Sequence, residues 1–197
     1  MNPHEAALRV VHRDLGRLKV PYALVGGWAV TAHGSLRTTV DVDAAVAVAN
    51  DAEAESLVRQ LTVVGYRLAY QIEQTDTHLL GGVRLFPPGR GSTVLVDLLF
   101  ASSGIEAEIV AEATIQRVFA NISMPVATVG HLIAMKVLAV SDERGKDLED
   151  LRVLIPRASG AEIQRARQSV ALIAERGFAR HKDVVAELEQ LLTALRS

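Results

Sequence analysis

The sequence predicts an α+β protein, with a mixed sheet flanked by helices up to about residue 127 and a helical bundle from there to the end. Three observations carry this reading. In the first part, short apolar runs punctuated by glycine and proline alternate with amphipathic stretches. One of these runs, T-V-L-V-D-L-L-F, is nearly continuous in apolar character, as in a strand buried in the middle of a sheet. After Thr128 every apolar periodicity is helical. The change of character divides the chain into an α/β core, residues 1–127, and a C-terminal helical domain, residues 128–197.

Each element has its own signal. Residues 4–18 carry Leu8, Val11, Leu15 and Leu18 on one helical stripe and Glu5, Arg9, Arg13 and Arg17 on another. The charged stripe suits a solvated face with an i,i+4 pair, or contact with an acidic partner. Residues 22–25 read as a short buried strand, and 26–33 as a helix stopped by Gly34. A strand over 40–48 follows, its apolar alternation interrupted by two aspartates. Asp51 can cap a helix running to Val64, with Gly65 ending it. Residues 66–72, 77–86 and 93–100 read as strands, the last two joined through P-P-G-R-G-S as a hairpin. A helix after Gly104 and edge strands near 115–126 complete the core, and four helices follow over 131–140, 146–154, 161–175 and 183–195. Gly145, the segment from Pro156 to Gly160, and Gly177 separate them.

The 197 residues are 49% hydrophobic and 22% charged, an ordinary composition for a folded domain with a real core. No cysteine is present, which excludes disulfides and thiolate metal sites. The N-terminus has no apolar signal core, and Lys136 breaks the most apolar stretch, far short of the roughly 18 residues of a membrane span. A cytosolic location and no membrane partner are expected. The net charge of −2 argues against a protein that coats nucleic acid. Between Arg144 and Lys182, however, nine basic residues face five acids. That surplus suits local contact with nucleic acid or, equally, a solvated helix face.

The chemistry concentrates between Val25 and Val46. Strand alternation sends Asp41 and Asp43 to one face. Like charges so placed raise the pKa of one of them unless a cation neutralises the pair, and a hard divalent ion such as Mg²⁺ suits such oxygens. The Gly26 and Gly27 turn, opening a helix, offers backbone N–H groups to phosphate. Phosphate beside metal suggests a nucleotide. Asp97 lies in the buried apolar run, where a lone carboxylate needs compensation. A buried arginine or a strand-end cap would provide it; beside the Asp41 and Asp43 strand, Asp97 becomes a third metal ligand. Lys136 interrupts the apolar face of its helix and reads either as a snorkelling side chain or as a site residue. Lys146, Asp147 and Asp150 read as a charged helix start or as part of a site.

These residues resemble a known family. G-G-W-A, then H-G-S-L-R-T-T-V-D-V-D, then V-D-L-L after a hairpin, is similar to the polymerase β-like core of the nucleotidyltransferase superfamily. H-L-I-A-M-K-V-L-A-V-S-D-E-R-G-K-D-L-E-D-L resembles the AbiEii toxins of bacterial toxin–antitoxin systems, which include the MenT group of tRNA nucleotidyltransferases. The likeness covers about residues 22–155. It implies that Gly26 and Gly27 hold the triphosphate, that Asp41, Asp43 and Asp97 bind two Mg²⁺ ions, with Mn²⁺ as a substitute, and that Asp97 accepts the proton of an acceptor hydroxyl. It implies catalytic roles for Lys136, Asp147 and Asp150, and nucleotide contacts for Lys146, Arg37, Thr38 and Thr39. The expected activity is transfer of a pyrimidine nucleoside monophosphate from NTP to the 3′ end of tRNA, with an antitoxin as protein partner. The superfamily's turn is usually Gly-Ser, and here Gly27 replaces the serine, so a phosphate-binding hydroxyl is missing unless Thr39 stands in for it.

Two other readings remain. G-G-W-A-V also resembles lincosamide nucleotidyltransferases, which adenylylate an antibiotic hydroxyl. A chain lacking the turn serine also suits a degenerate nucleotide-binding regulator without turnover. Against the latter, all three costly aspartates are retained.

Overall fold

A computed structural model describes residues 2–35, 39–74, 77–89, 93–119, 121–141 and 145–196. The chain opens with helix α1 (Pro3–Arg17), then β1 (Tyr22–Leu24), α2 (Gly26–Ala32), β2 (Val42–Val46) and α3 (Asp51–Val63). Next come β3 (Arg67–Glu73), β4 (Leu80–Phe86), β5 (Val96–Leu99), α4 (Glu106–Ala111), β6 (Thr114–Phe119) and β7 (Ile122–Val126). Four helices finish it: α5 (Val129–Ala139), α6 (Gly145–Arg157), α7 (Gly160–Glu175) and α8 (Val184–Arg196). Among the described residues seven strands form one mixed sheet in the order β3-β4-β5-β2-β1-β7-β6, with β2–β5 and β1–β7 parallel and the other pairs antiparallel. No helix among the described residues is long and apolar enough to cross a membrane.

Local chemistry explains most boundaries. The Asn2 side chain caps α1 by accepting from His4 N, and Pro3 opens the helix where its missing N–H costs nothing. Ala7, Leu8, Val11 and Leu15 form the buried stripe. On the opposite stripe Arg9 pairs with Glu5 at 2.9 Å, and Arg13 turns to Asp14 at 2.7 Å. At α3 the cap is Asn50, whose side chain accepts from Glu53 N, rather than the expected Asp51. Asp51 already has helical backbone, and its carboxylate takes Leu80 N at 3.1 Å, tying the helix start to β4.

Two other expectations shift. The strand expected over 40–48 narrows to Val42–Val46, because β1, on one side of it, offers only three residues to pair. The helix expected to end at Leu154, before Pro156, continues through the proline to Arg157. A proline in a last turn forfeits one hydrogen bond without breaking the helix before it.

The core spans both halves. Leu24, Val42, Ala44 and Leu98 of the sheet, and Leu132, Ile133, Val137 and Leu151 of the helices, are almost wholly buried in one cluster. α5 is the hub of the C-terminal helices, packing on α6, α7 and α8 as well as on α2. Its own C-terminus is tied down by Lys182, whose ammonium donates to the carbonyls of Val137 at 3.3 Å and Val140 at 2.5 Å. Arg165 and Arg176 fasten α7 to α4 and its C-cap through Glu112 and Glu108. Much of the arginine surplus of this half is therefore spent on internal ion pairs, as Arg167 is with Glu189.

Candidate active site

Strand register assembles the site. Across β3, β4, β5 and β2 it sets Tyr70, Arg84, Asp97 and Asp43 side by side in one row. Two residues further along lies a second row of Ile72, Gly82, Leu99 and Ala45. Side chains two apart share a face, so a charged row and an apolar row floor the same space. All four members of the first row, with Ile72 and Leu99, line a cavity of about 730 Å³. Leu132, Met135, Lys136 and Ala139 of α5 also line it, as does Asp147 of α6.

Asp43 and Asp97 are direct partners on parallel neighbours. Burial pushes the Asp43 carboxyl up to about 6, with the Asp97 charge adding to the rise and Lys136 opposing it. Asp41 raises it further, as the shared face of the two aspartates implies. Asp41 itself sits just before β2, half-buried, and does not line the cavity. Among the described residues Asp43 forms no ion pair, whereas Asp97 is held through both oxygens by one arginine. Arg84 Nε donates to Asp97 Oδ1 at 2.6 Å and Arg84 Nη2 to Oδ2 at 2.5 Å. The same guanidinium stands 3.6 Å from Asp41 and over the Tyr70 ring, 5.4 Å from its centroid. The arginine considered for Asp97 from the sequence is thus real, and it sits among the same aspartates that the resemblance assigns to metal.

The glycine turn is shaped by its neighbours. Val25 N donates to the Asp43 carbonyl at 2.9 Å, bringing the turn against β2. Gly26 has φ +60, and a Cβ there would lie 2.1 Å from Asp43 Oδ2. Only glycine permits both that backbone and so close a carboxylate. At Gly27 a Cβ would lie 2.5 Å from Thr39 Oγ1. The space of the usual serine side chain is therefore filled by the threonine considered as its stand-in. The Thr39 hydroxyl oxygen is buried and has no hydrogen-bond partner among the described residues. Arg37 and Thr38 lie outside the described residues.

Lys136 does not snorkel. Its ammonium lies 2.6 Å from Asp147 and 2.8 Å from Asp150, one helical turn apart on α6, and all three side chains are largely buried. Of the two aspartates of the K-D-x-x-D element, Asp147 lines the cavity itself and Asp150 reaches its wall through Lys136. Lys146 does not join them: it is exposed and outside the cavity lining, because the turn that points Asp147 inward points its neighbour out.

Sequence reasoning missed several wall residues. Arg84 and Tyr70 carry no local oddity; only register joins them to Asp97. Arg180 and His181, between α7 and α8, line the cavity with left-handed backbone at φ +54 and +60, which no residue type there signals. Ser102 and Ser103 line it too. Their loop is shaped by buried Glu106, which accepts from both backbone amides and from the Ser103 hydroxyl.

Whether a metal suits this chain can be judged from the donors. Among the described residues no three ligating side chains stand ready to coordinate, with Arg84 holding Asp97. The chemistry nevertheless fits a hard divalent cation. Asp41 and Asp97 converge on Arg84, and Asp147 and Asp150 on Lys136, while Asp43, beside Asp97, forms no ion pair among the described residues and has its pKa raised by burial.

Comparisons with known proteins agree on the class. The family described as Nucleotidyl transferase AbiEii toxin, Type IV TA system, matches residues 11–196. An antigenic nucleotidyltransferase-like protein from Paracoccidioides brasiliensis has 18% identity and a TM-score of 0.54, over 93% of this chain and 91% of its own. The structure of ANT(2")-Ia in complex with adenylyl-2"-tobramycin gives 17% identity and a TM-score of 0.50, over 97% of each chain. At these identities the likeness is one of fold. No curated protein matches the sequence.

Two outcomes follow from the geometry. The native fold holds the Asp43 proton up to about pH 6, so ionising it costs stability as pH rises from the ordinary aspartate range to that value, and the whole cost is present above it. In metal-free buffer Asp43→Asn is expected to raise stability by about 1–2 kcal/mol at pH 8 and by close to nothing at pH 4, read by urea unfolding. Gly27→Ser should lose about 1–3 kcal/mol by overpacking against Thr39. Thr39→Ala in the same chain should recover most of that loss in a double-mutant cycle.

Proposed function

Because the chain belongs to the AbiEii nucleotidyltransferase toxin family, we propose that it is an RNA-directed member, transferring a pyrimidine nucleoside monophosphate from NTP to the 3′ end of tRNA and thereby blocking translation. The observation that carries this reading is the charged row of Asp43, Asp97 and Arg84 beside the Gly26 and Gly27 turn, facing Lys136 in one cavity. Support for a large anionic acceptor comes from exposed Lys146 and Arg152 on the helix whose Asp147 lines that cavity. An antitoxin protein is the partner that the family suggests, and the cytosol the expected location.

In this reading the backbone amides of the Gly26 and Gly27 turn bind phosphate, and the Thr39 hydroxyl is the adjoining polar group. Asp41, Asp43 and Asp97 would hold divalent cations. When bound, these lower the pKa of the acceptor hydroxyl and offset charge on the departing pyrophosphate. Asp97 takes the acceptor's proton. Lys136, held in place by Asp147 and Asp150, supplies a fixed positive charge toward the phosphates in a low-dielectric cavity, where such charges act most strongly. The Ile72 and Leu99 row offers an apolar surface to the nucleobase.

The test incubates purified protein with Mg²⁺, each labelled NTP in turn and total tRNA. Label should enter tRNA from CTP or UTP, and Lys136→Met should slow its incorporation by about 100-fold or more. No label in tRNA with any NTP sinks the reading. Label from ATP entering an antibiotic hydroxyl instead would transfer the assignment to a resistance enzyme, and expression alone would then leave growth unaffected.

A further inference from the structure

We propose that Arg84 is a resident cation of the aspartate row, one that must leave Asp97 before a metal can use it, and that the nucleoside triphosphate draws it away. Metal loading is thereby coupled to nucleotide binding, so that the two enter together. The inference rests on the reading of the row as a metal-dependent nucleotidyl-transfer site.

The geometry is that of a competitor. One guanidinium covers both oxygens of Asp97, at 2.6 and 2.5 Å, and reaches Asp41 at 3.6 Å. It therefore addresses two of the three assigned ligands. Asp97 is buried and the Arg84 side chain about a quarter exposed, so the pair is not a loose surface contact. A divalent ion needs a carboxylate oxygen within about 2.1 Å, and a guanidinium already seated on both oxygens of that carboxylate opposes it by like charge and by the lone pairs it occupies. Metal arriving alone must break this pair and crowd Arg84 against the same aspartates without bringing it a new anion.

A triphosphate changes the balance, because phosphate oxygens are the other natural partner of a guanidinium fork. Arg84 need not travel far to meet one. Its register neighbour on the outer side is Tyr70, and the guanidinium already lies over that ring, 5.4 Å from the centroid. Cation–π attraction can hold it there while it exchanges carboxylate for phosphate. Both residues line the cavity that the glycine turn opens into. The row from Asp43 through Asp97 and Arg84 to Tyr70 thus supplies the contested ligand, the displaced cation and its resting place on successive strands.

The coupling is reciprocal by linkage: if nucleotide tightens metal, metal tightens nucleotide by the same factor. Mn²⁺ binding measured by electron paramagnetic resonance reads it without turnover. With Mn²⁺ alone, Arg84→Gln should bind at least about 10-fold more tightly than the wild type. Arg84→Lys keeps the charge but loses the fork, and should fall between the two. Adding α,β-methylene CTP or UTP should tighten Mn²⁺ binding to the wild type by a larger factor than to Arg84→Gln. If Arg84→Gln binds Mn²⁺ no more tightly than the wild type, or the nucleotide effect is equal in both, the proposal is overturned.

Should Arg84→Gln fail to fold by circular dichroism, the wild type and Arg84→Lys decide: equal Mn²⁺ affinity in these two overturns the proposal as well. Failure here is separable from failure of the functional reading. A chain that labels tRNA but shows no Arg84 effect loses this inference alone. One that labels no tRNA, yet gains Mn²⁺ affinity in Arg84→Gln, loses only the RNA assignment.

Discussion

Two carboxylates held side by side on parallel strands are the constraint from which the rest of this site follows. The pairing of β2 with β5 puts Asp43 next to Asp97, and a folded chain tolerates like charges there only with compensation. Three responses are built in. Arg84 takes Asp97 from the next strand, the Lys136 charge on α5 offsets part of the negative potential, and Asp43 retains its proton to about pH 6. Gly26 belongs to the same arrangement, since any side chain there would collide with the Asp43 carboxylate. The cavity is thus an electrostatic problem partly solved by protein groups, and the excess negative charge is what a divalent cation would complete.

The C-terminal helices complete the site as well as the fold. Lys136 lies on α5, yet Asp147 and Asp150 on α6 fix its position, and both helices share the buried cluster with the sheet. Internal ion pairs such as Arg176 to Glu108 clamp α7 to the sheet side, and the turn beyond α7 contributes Arg180 and His181 to the cavity wall. A surplus of arginine in the sequence therefore reports largely on assembly of the helical half.

What could be read from the sequence was what announces itself locally. Asp43 and Asp97 stand out because charge in an apolar strand is costly, and Lys136 because it breaks an apolar helix face. The α+β class and the helical C-terminal half follow from periodicity alone, and the structure shares them. Residues whose meaning depends on register stayed hidden. Arg84 in L-G-G-V-R-L-F is an ordinary strand residue until β4 is laid beside β5, and Gly27 is an apparent defect until Thr39 is found in the space beside it. The exchange of Asn50 for Asp51 as the α3 cap has the same cause, because the distant Leu80 amide claims Asp51. Lys146 shows the reverse: Asp147 of the same motif element lines the cavity, but helix geometry turns Lys146 outward.

Everything proposed for this site depends on a divalent cation belonging in the row formed by Asp43 and Asp97. Residue-resolved paramagnetic broadening of amide NMR signals by trace Mn²⁺, in the presence of a non-reacting nucleoside triphosphate, tests it most directly. Signals of Gly26, Gly27, Asp43, Arg84 and Asp97 should disappear first, while those around Glu55 on the exposed face of α3 persist. Broadening centred on surface acids, with the row unaffected, would contradict it.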